Sequence, residues 1–175
     1  MQQPKQAKWV RGYCETVGDL LTHEKVQQMR QYPHHKPIDT LYHSVYVSFM
    51  TYRICEKLHL RTREATRAAL LHDFYLYNWY TDKHDEGHAW YHPKEAVKNA
   101  ELYFGDLTPL QRDMILSHMW PLHLMPPRSR EGLALTLADK VGAVRDFLRL
   151  SKRFRPVYTC IETEMKHYAR PAASR

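Results

Sequence analysis

Residues 39–59 read as a helix that is apolar on almost every side, carrying Val45, Tyr46, Val47, Phe49, Met50, Ile54 and Leu58. A helix without a polar face must run through the middle of a fold and be wrapped by other elements. Those elements also read as helices. Residues 9–30 place Val17, Leu20, Leu21, Val26 and Met29 at helical spacing, with a break near Thr22, a candidate cap for the second piece. Pro33 and Pro37 make 31–38 a loop that leaves His34 and His35 in polar surroundings, and Asp39 or Thr40 caps the central helix. Thr62 caps the next helix. Pro93 opens another that stops at Gly105, and Thr108-Pro109 opens one that stops at Pro121. A long helix over 131–150 takes Leu133, Leu135, Leu137, Val141, Val144, Phe147 and Leu148 as its apolar positions. Pro156 breaks the chain before a last helix over 157–168. No strand pattern and no repeat is visible. The expectation is an all-α, compact bundle of about six to eight helices without significant sheet. It forms a single domain over 1–175, with its core at about 40–150, the N- and C-terminal helices packed on it, and disordered ends at 1–8 and 169–175.

Composition excludes several function classes. The chain has 175 residues, 43% hydrophobic and 26% charged, as expected of one globular domain. It has no apolar run of membrane-spanning length and its N-terminus has no apolar signal region, so a cytoplasmic protein without a membrane partner is expected. Cys14, Cys55 and Cys160 are scattered, without CxxC spacing, and read as buried free thiols rather than disulfide or zinc-thiolate residues. The formal net charge of +7 favours an anionic partner. The densest basic cluster, Lys152-Arg153-Phe154-Arg155, is short and no nucleic-acid signature accompanies it, so a small phosphate-bearing molecule is preferred to nucleic acid.

Twelve histidines are the compositional excess. His43 lies on the central helix in an apolar stripe with Val47, Met50 and Ile54. Ala65, Ala68, Ala69 and His72 share one face of the next helix, which ends in the adjacent pair His72-Asp73. Small residues on that face let a neighbouring helix come close. Asp139 sits among leucines in the long late helix, where a buried carboxylate needs a cation. Neighbouring helix positions point about 100° apart, which makes Lys140 a poor partner for it, and Arg145 is no better placed. A metal is the more economical partner. Carboxylate and imidazole together are transition-metal ligands.

The order His43, His72-Asp73, Asp139 resembles the metal motif of the HD-domain superfamily of metal-dependent phosphohydrolases, as does the wording Ala68-Ala69-Leu70-Leu71-His72-Asp73 and Ala138-Asp139-Lys140. His92, before Pro93, and His118, before Met119-Trp120-Pro121, extend it to the two-metal order H…HD…H…H…D; His88 is the alternative to His92. The resemblance implies an HD-like helical fold and two divalent transition-metal ions, iron, manganese or zinc, held by His43, His72, Asp73, His92, His118 and Asp139. It implies that Asp73 bridges them as the catalytic carboxylate, with a shared water or hydroxide attacking phosphorus. Lys140, Arg128 and Lys83 are the candidate substrate-binding cations. Tyr75, Tyr77, Trp79 and Trp90, in the long connection 74–91, are candidates to stack on a base or sugar, or to form a local core.

The leading expectation is a phosphohydrolase acting on a nucleotide or another small phosphorylated metabolite. The cyclic-dinucleotide subgroup is not supported, because Ser117-His118-Met119 stands without a Gly-Tyr-Pro segment. The same six ligands would equally serve an HD-fold mixed-valence di-iron oxygenase cleaving a carbon bond of a phosphonate or polyol. They would also serve a metal-stabilised nucleotide-binding regulatory module. Nothing in the chain sets an oligomeric state.

Overall fold

A computed structural model describes residues 3–35 and 37–168. The described residues form eight α-helices: α1 (Gln3–Thr22), α2 (Glu24–Gln28), α3 (Thr40–Lys57), α4 (Thr62–Leu71), α5 (His88–Phe104), α6 (Pro109–Ser117), α7 (Arg130–Phe147) and α8 (Arg155–Tyr168). Among the described residues the only β-pairing is an isolated bridge between Pro33 and Asp39. No helix among them is long and apolar enough to cross a membrane. Helix α1 already runs at Gln3, where a frayed end was expected over 1–8; the expected disorder at 169–175 lies outside the described residues.

Helix α3 is the axis. Asp39 caps it, its Oδ1 accepting from the Tyr42 N–H at 2.8 Å. Thirteen of its residues are buried, and it packs on α4 and α7, with α1 and α8 also in contact. The close approach of α4 follows from its fully buried Ala65, Ala68 and Ala69. At this short separation the Ser48 hydroxyl of α3 donates to the Thr66 carbonyl of α4 at 2.8 Å. Helices α1 and α8 pack on one another, and α1 also rests on α4.

Several caps differ from expectation. Thr22 stays inside α1, its hydroxyl bonded back to the Gly18 carbonyl, and His23 caps α2 by accepting from the Lys25 N–H. Thr62 is the first helical residue of α4; the Arg61 N–H that precedes it is satisfied by the Glu131 carboxylate of α7. That cap comes from seventy residues away and leaves no local signature. Helix α5 begins at His88, so Pro93 lies inside it. Proline supplies no N–H to the Ala89 carbonyl one turn earlier. The His123 ring, stacked on Trp90 with centroids 3.9 Å apart, interacts with the Ala89 backbone instead. Thr108 and Gln111 form the reciprocal capping box that opens α6. Pro156 falls in the first turn of α8 rather than before it. Cys14 and Cys55 are buried thiols, whereas Cys160 is exposed.

The largest departure concerns α7. Leu133, Leu137, Val141, Val144, Phe147 and Leu148 are exposed, not core. The inward face carries Gly132, Ala134, Leu135, Ala138 and Gly142 together with Glu131, Thr136, Asp139, Arg145 and Asp146. Small residues bring this helix against α3, where Asp139 and Asp146 bond His43 and the Arg145 guanidinium lies over the Tyr46 ring. Gly142 is the closest point: a Cβ would sit 3.1 Å from His43 Cε1 and 3.2 Å from Tyr46 Cδ1.

Gly142→Ala is therefore expected to cost about 1 kcal/mol net in urea unfolding. Overpacking outweighs the roughly 1 kcal/mol that alanine gains in helix propensity. A more stable variant would mean that the His43 side of α7 is not tightly packed.

Candidate metal centre

Four histidines are oriented before they meet. His72 and His118 occupy the C-caps of α4 and α6. The final carbonyls of a helix lack intrahelical donors. The Nδ1 of His72 lies 2.7 Å from the Ala69 carbonyl and that of His118 lies 2.7 Å from the Ile115 carbonyl. A carbonyl only accepts, so each Nδ1 carries the proton and each Nε2 presents a lone pair. His92, in α5, does the same through the His88 carbonyl at 2.9 Å. His43, on α3, is held through Nδ1 by the Asp146 carboxylate at 3.0 Å.

The four Nε2 atoms converge on two carboxylates. His43 Nε2 lies 3.1 Å from Asp139 Oδ1, and His72 Nε2 lies 3.7 Å from the same atom. Asp73 faces both ways. Its Oδ2 is 3.4 Å from His72 Nε2, while its Oδ1 is 3.3 Å from His92 Nε2 and 3.7 Å from His118 Nε2. The six residues thus form two sets, His43, His72 and Asp139 on one side and His92 and His118 on the other, with one Asp73 oxygen toward each. All six are buried. His88 does not replace His92. Its Nδ1 pairs with the Tyr77 hydroxyl at 2.9 Å, and its ring stacks behind His92.

The donors fit a metal. His92 and His118 set their Nε2 atoms 2.9 Å apart. With both Nδ1 atoms donating, these are two acceptors in contact, which repel unless a cation lies between them. Donors about 3 Å apart match adjacent ligands at bond lengths of about 2.1 Å. His72 Nε2 is buried and has no hydrogen-bond partner, leaving its lone pair for a ligand. Nitrogen and oxygen donors without sulfur suit iron, manganese or zinc alike.

The electrostatics have the same origin. Burial opposes ionisation of Asp73 and Asp139, but the histidines around them hold both carboxyls well below the usual range. Burial also depresses His43, yet Asp139 and Asp146 override it and lift it to about 9. His118 is pushed down to about 3 by burial and by His72 and His92. The cluster is therefore anionic at the carboxylates and neutral at His118, the states in which these groups bind metals, while His43 is protonated and would give up its Nε2 proton to an ion.

Two residues at this centre were not singled out from the sequence. Asp146 lies two turns after Asp139 on the same inward face of α7, a spacing that marks it in retrospect. It holds His43 with one oxygen and is itself held by Arg145 at 2.8 Å with the other. His34, placed by the sequence in polar surroundings, lies instead against the site, 3.6 Å from Asp73 Oδ2. Lys140 also corrects the sequence argument: its Nζ reaches Asp139 Oδ2 at 2.9 Å, because a four-carbon stem can curl across the 100° between neighbouring positions. It bonds the His118 carbonyl at 3.1 Å as well.

A cavity of about 290 Å³ opens on the centre, lined by Asp73, His92, His118 and Asp139 and by His34, His35, Trp79, His88, Met119, Leu122, Lys140 and Ala143. Arg128 and Lys83 are not among the lining residues. Arg128 turns to Asp113 on α6 and Lys83 is exposed in the α4–α5 loop. The loop aromatics pack on one another. Trp79 is stacked with Tyr80 at 4.0 Å and with His88 at 4.9 Å, its indole N–H donating to the Pro33 carbonyl. Tyr75 is buried against Thr40. Of the four aromatics, Tyr75 is buried, Tyr77 and Trp79 are half-buried in ring contacts, and Trp90 is exposed.

Residues 40–144, more than half of the chain, match the family model described as HD domain. No curated protein and no solved structure matches the chain.

Replacing Asp73 with Ala should empty both halves of the centre, since one of its oxygens serves each. Elemental analysis of the purified variant showing two ions per chain would refute the bridging assignment. Asp146→Asn should leave the fold and the metal count intact at saturating metal, yet lower affinity about 10- to 100-fold by loosening His43, read by chelator competition.

Proposed function

This chain belongs to the HD domain family, a superfamily of metal-dependent hydrolases, and on that premise we propose that it releases phosphate from a compact phosphomonoester. The observation that carries the reading is Asp73, which turns one oxygen to each of two buried donor sets at the floor of a single cavity. Two divalent ions there would neutralise phosphoryl oxygens and lower the pKa of a shared water.

The chain's own residues argue for the substrate's size and charge. Among the described residues Lys140 is the only lysine or arginine lining the cavity. Its ammonium has three N–H donors. Two are taken by Asp139 Oδ2 and the His118 carbonyl, which fix it on the wall and leave the third for a phosphoryl oxygen. One cation suits one phosphoryl group better than a polyphosphate tail. The volume of about 290 Å³ is at the small end for ligand cavities. Met119, Leu122 and Ala143 give part of the wall an apolar surface for a short organic group. Trp79 is already stacked with both Tyr80 and His88, which competes with stacking on a nucleobase. These features favour a small phosphorylated metabolite over a nucleotide.

The test is phosphate release by protein loaded with manganese or iron, across monoesters, diesters, nucleoside triphosphates and phosphonates. Compact monoesters should turn over fastest, and Lys140→Ala should lower kcat/KM for them by at least about tenfold. Fully metal-loaded protein that hydrolyses none of them overturns the reading. Consumption of oxygen with a phosphonate would assign the centre to carbon-bond oxidation instead.

A further inference from the structure

His34 lies outside the segment 40–144 and on none of the helices that carry the six donors, yet it comes to the same place. The turn that delivers it is pinned on both sides. The His34 N–H donates to the Ile38 carbonyl at 2.9 Å, next to the Pro33–Asp39 bridge. The Trp79 indole, from the α4–α5 loop, donates to the Pro33 carbonyl at 2.9 Å. The imidazole is thereby laid over His43, with ring centroids 3.6 Å apart and planes 15° from parallel.

Its polar atoms lack satisfactory partners. Nδ1 is buried with none. Nε2 stands 3.6 Å from Asp73 Oδ2, beyond hydrogen-bond length. An imidazole so far removed from water is destabilising when left without partners, unless something else completes it. A seventh metal ligand is the first explanation to weigh, because donor atoms of His34, His43 and Asp73 lie within 4.8 Å of one another. The stacking argues against it. Imidazoles that share an ion both aim a lone pair at it, so their in-plane axes converge. Rings laid face to face have parallel planes, and an ion in the plane of His43 lies out of the plane of His34. His34 instead lines the cavity together with Lys140.

We propose that His34 is a substrate-contacting residue whose imidazole N–H donates a hydrogen bond to an oxygen of the phosphoryl group seated at Asp73. The inference rests on the phosphomonoester reading and adds a second protein donor to it. Charge in phosphoryl transfer spreads over three equatorial oxygens, so donors from separate walls act on different oxygens. Lys140 comes from α7 and His34 from the turn before α3.

The experiment uses the full chain loaded with manganese, inorganic phosphate as probe, calorimetry for affinity and elemental analysis for metal. His34→Ala should keep the wild-type metal content and weaken phosphate binding by about tenfold or more. His34→Gln, which retains a donor, should recover part of the loss and guards against a folding defect in the alanine variant. Unchanged phosphate affinity in both variants overturns the proposal, as does loss of metal in both, which would make His34 a ligand. Wild-type protein that holds its metal and binds no phosphate overturns the phosphomonoester reading itself, and this inference with it.

Discussion

The structure depends on keeping two carboxylates, Asp73 and Asp139, ionised out of water. Ionised carboxylates are costly to bury unless opposite charge surrounds them. Here His43, His72, His92 and His118 turn Nε2 toward them and Lys140 takes the outer oxygen of Asp139, and a metal cation held by those donors would supply the remaining counter-charge. That cluster draws on α3, α4, α5, α6 and α7, so each of these helices must come within side-chain reach of one point. The small residues follow from this. Ala65, Ala68 and Ala69 let α4 lie close to its neighbours, and the missing side chain of Gly142 makes room for the His43 ring. Removing the ligands would leave helices shaped for a partner that is no longer there.

The same constraint explains what could and could not be read from the chain. His72 and His118 are legible because their anchoring is local: a C-cap histidine satisfies an orphan carbonyl three residues back and aims its other nitrogen outward. The negative end of the helix dipole also favours a cation there. The apolar all-round pattern of α3 correctly placed it at the centre. Helix α7 misled because its leucines and valines read as the core stripe. Its inner face is spent on ligands, their supports and small residues, which leaves the large apolar side chains for the outside. Hydrophobic periodicity finds the buried face only when burial is driven by apolar area. In a helix that carries a metal ligand and its support, the polar stripe can be the inner one.

What escaped detection is long-range. The Glu131 cap on α4 and the placement of His34 depend on contacts between elements far apart in sequence. Asp146 is intermediate. Its two-turn spacing from Asp139 was visible, but nothing local tells a supporting carboxylate from a surface one. Its role appears only when His43, about one hundred residues earlier, is seen to lean on it. Lys140 shows the opposite error, a local rule applied too strictly, since side-chain length overrode backbone direction.

The long α4–α5 connection completes the argument about substrate. Its aromatics looked like a stacking platform, but Trp79 is already stacked with Tyr80 and with His88, whose ring stacks on His92. The row from Tyr80 through Trp79 and His88 reaches His92, so the loop backs a residue of the candidate metal site. Trp79 also holds the turn that carries His34. A loop committed in this way to fixing imidazoles on two sides of the centre is a brace rather than a base-binding lid. The space it leaves is small, and among the described residues Lys140 is the one lysine or arginine that lines it. Under the proposed phosphomonoester reading, selectivity falls to the few donors that reach the phosphoryl group, because little of the wall remains to recognise the rest of the molecule.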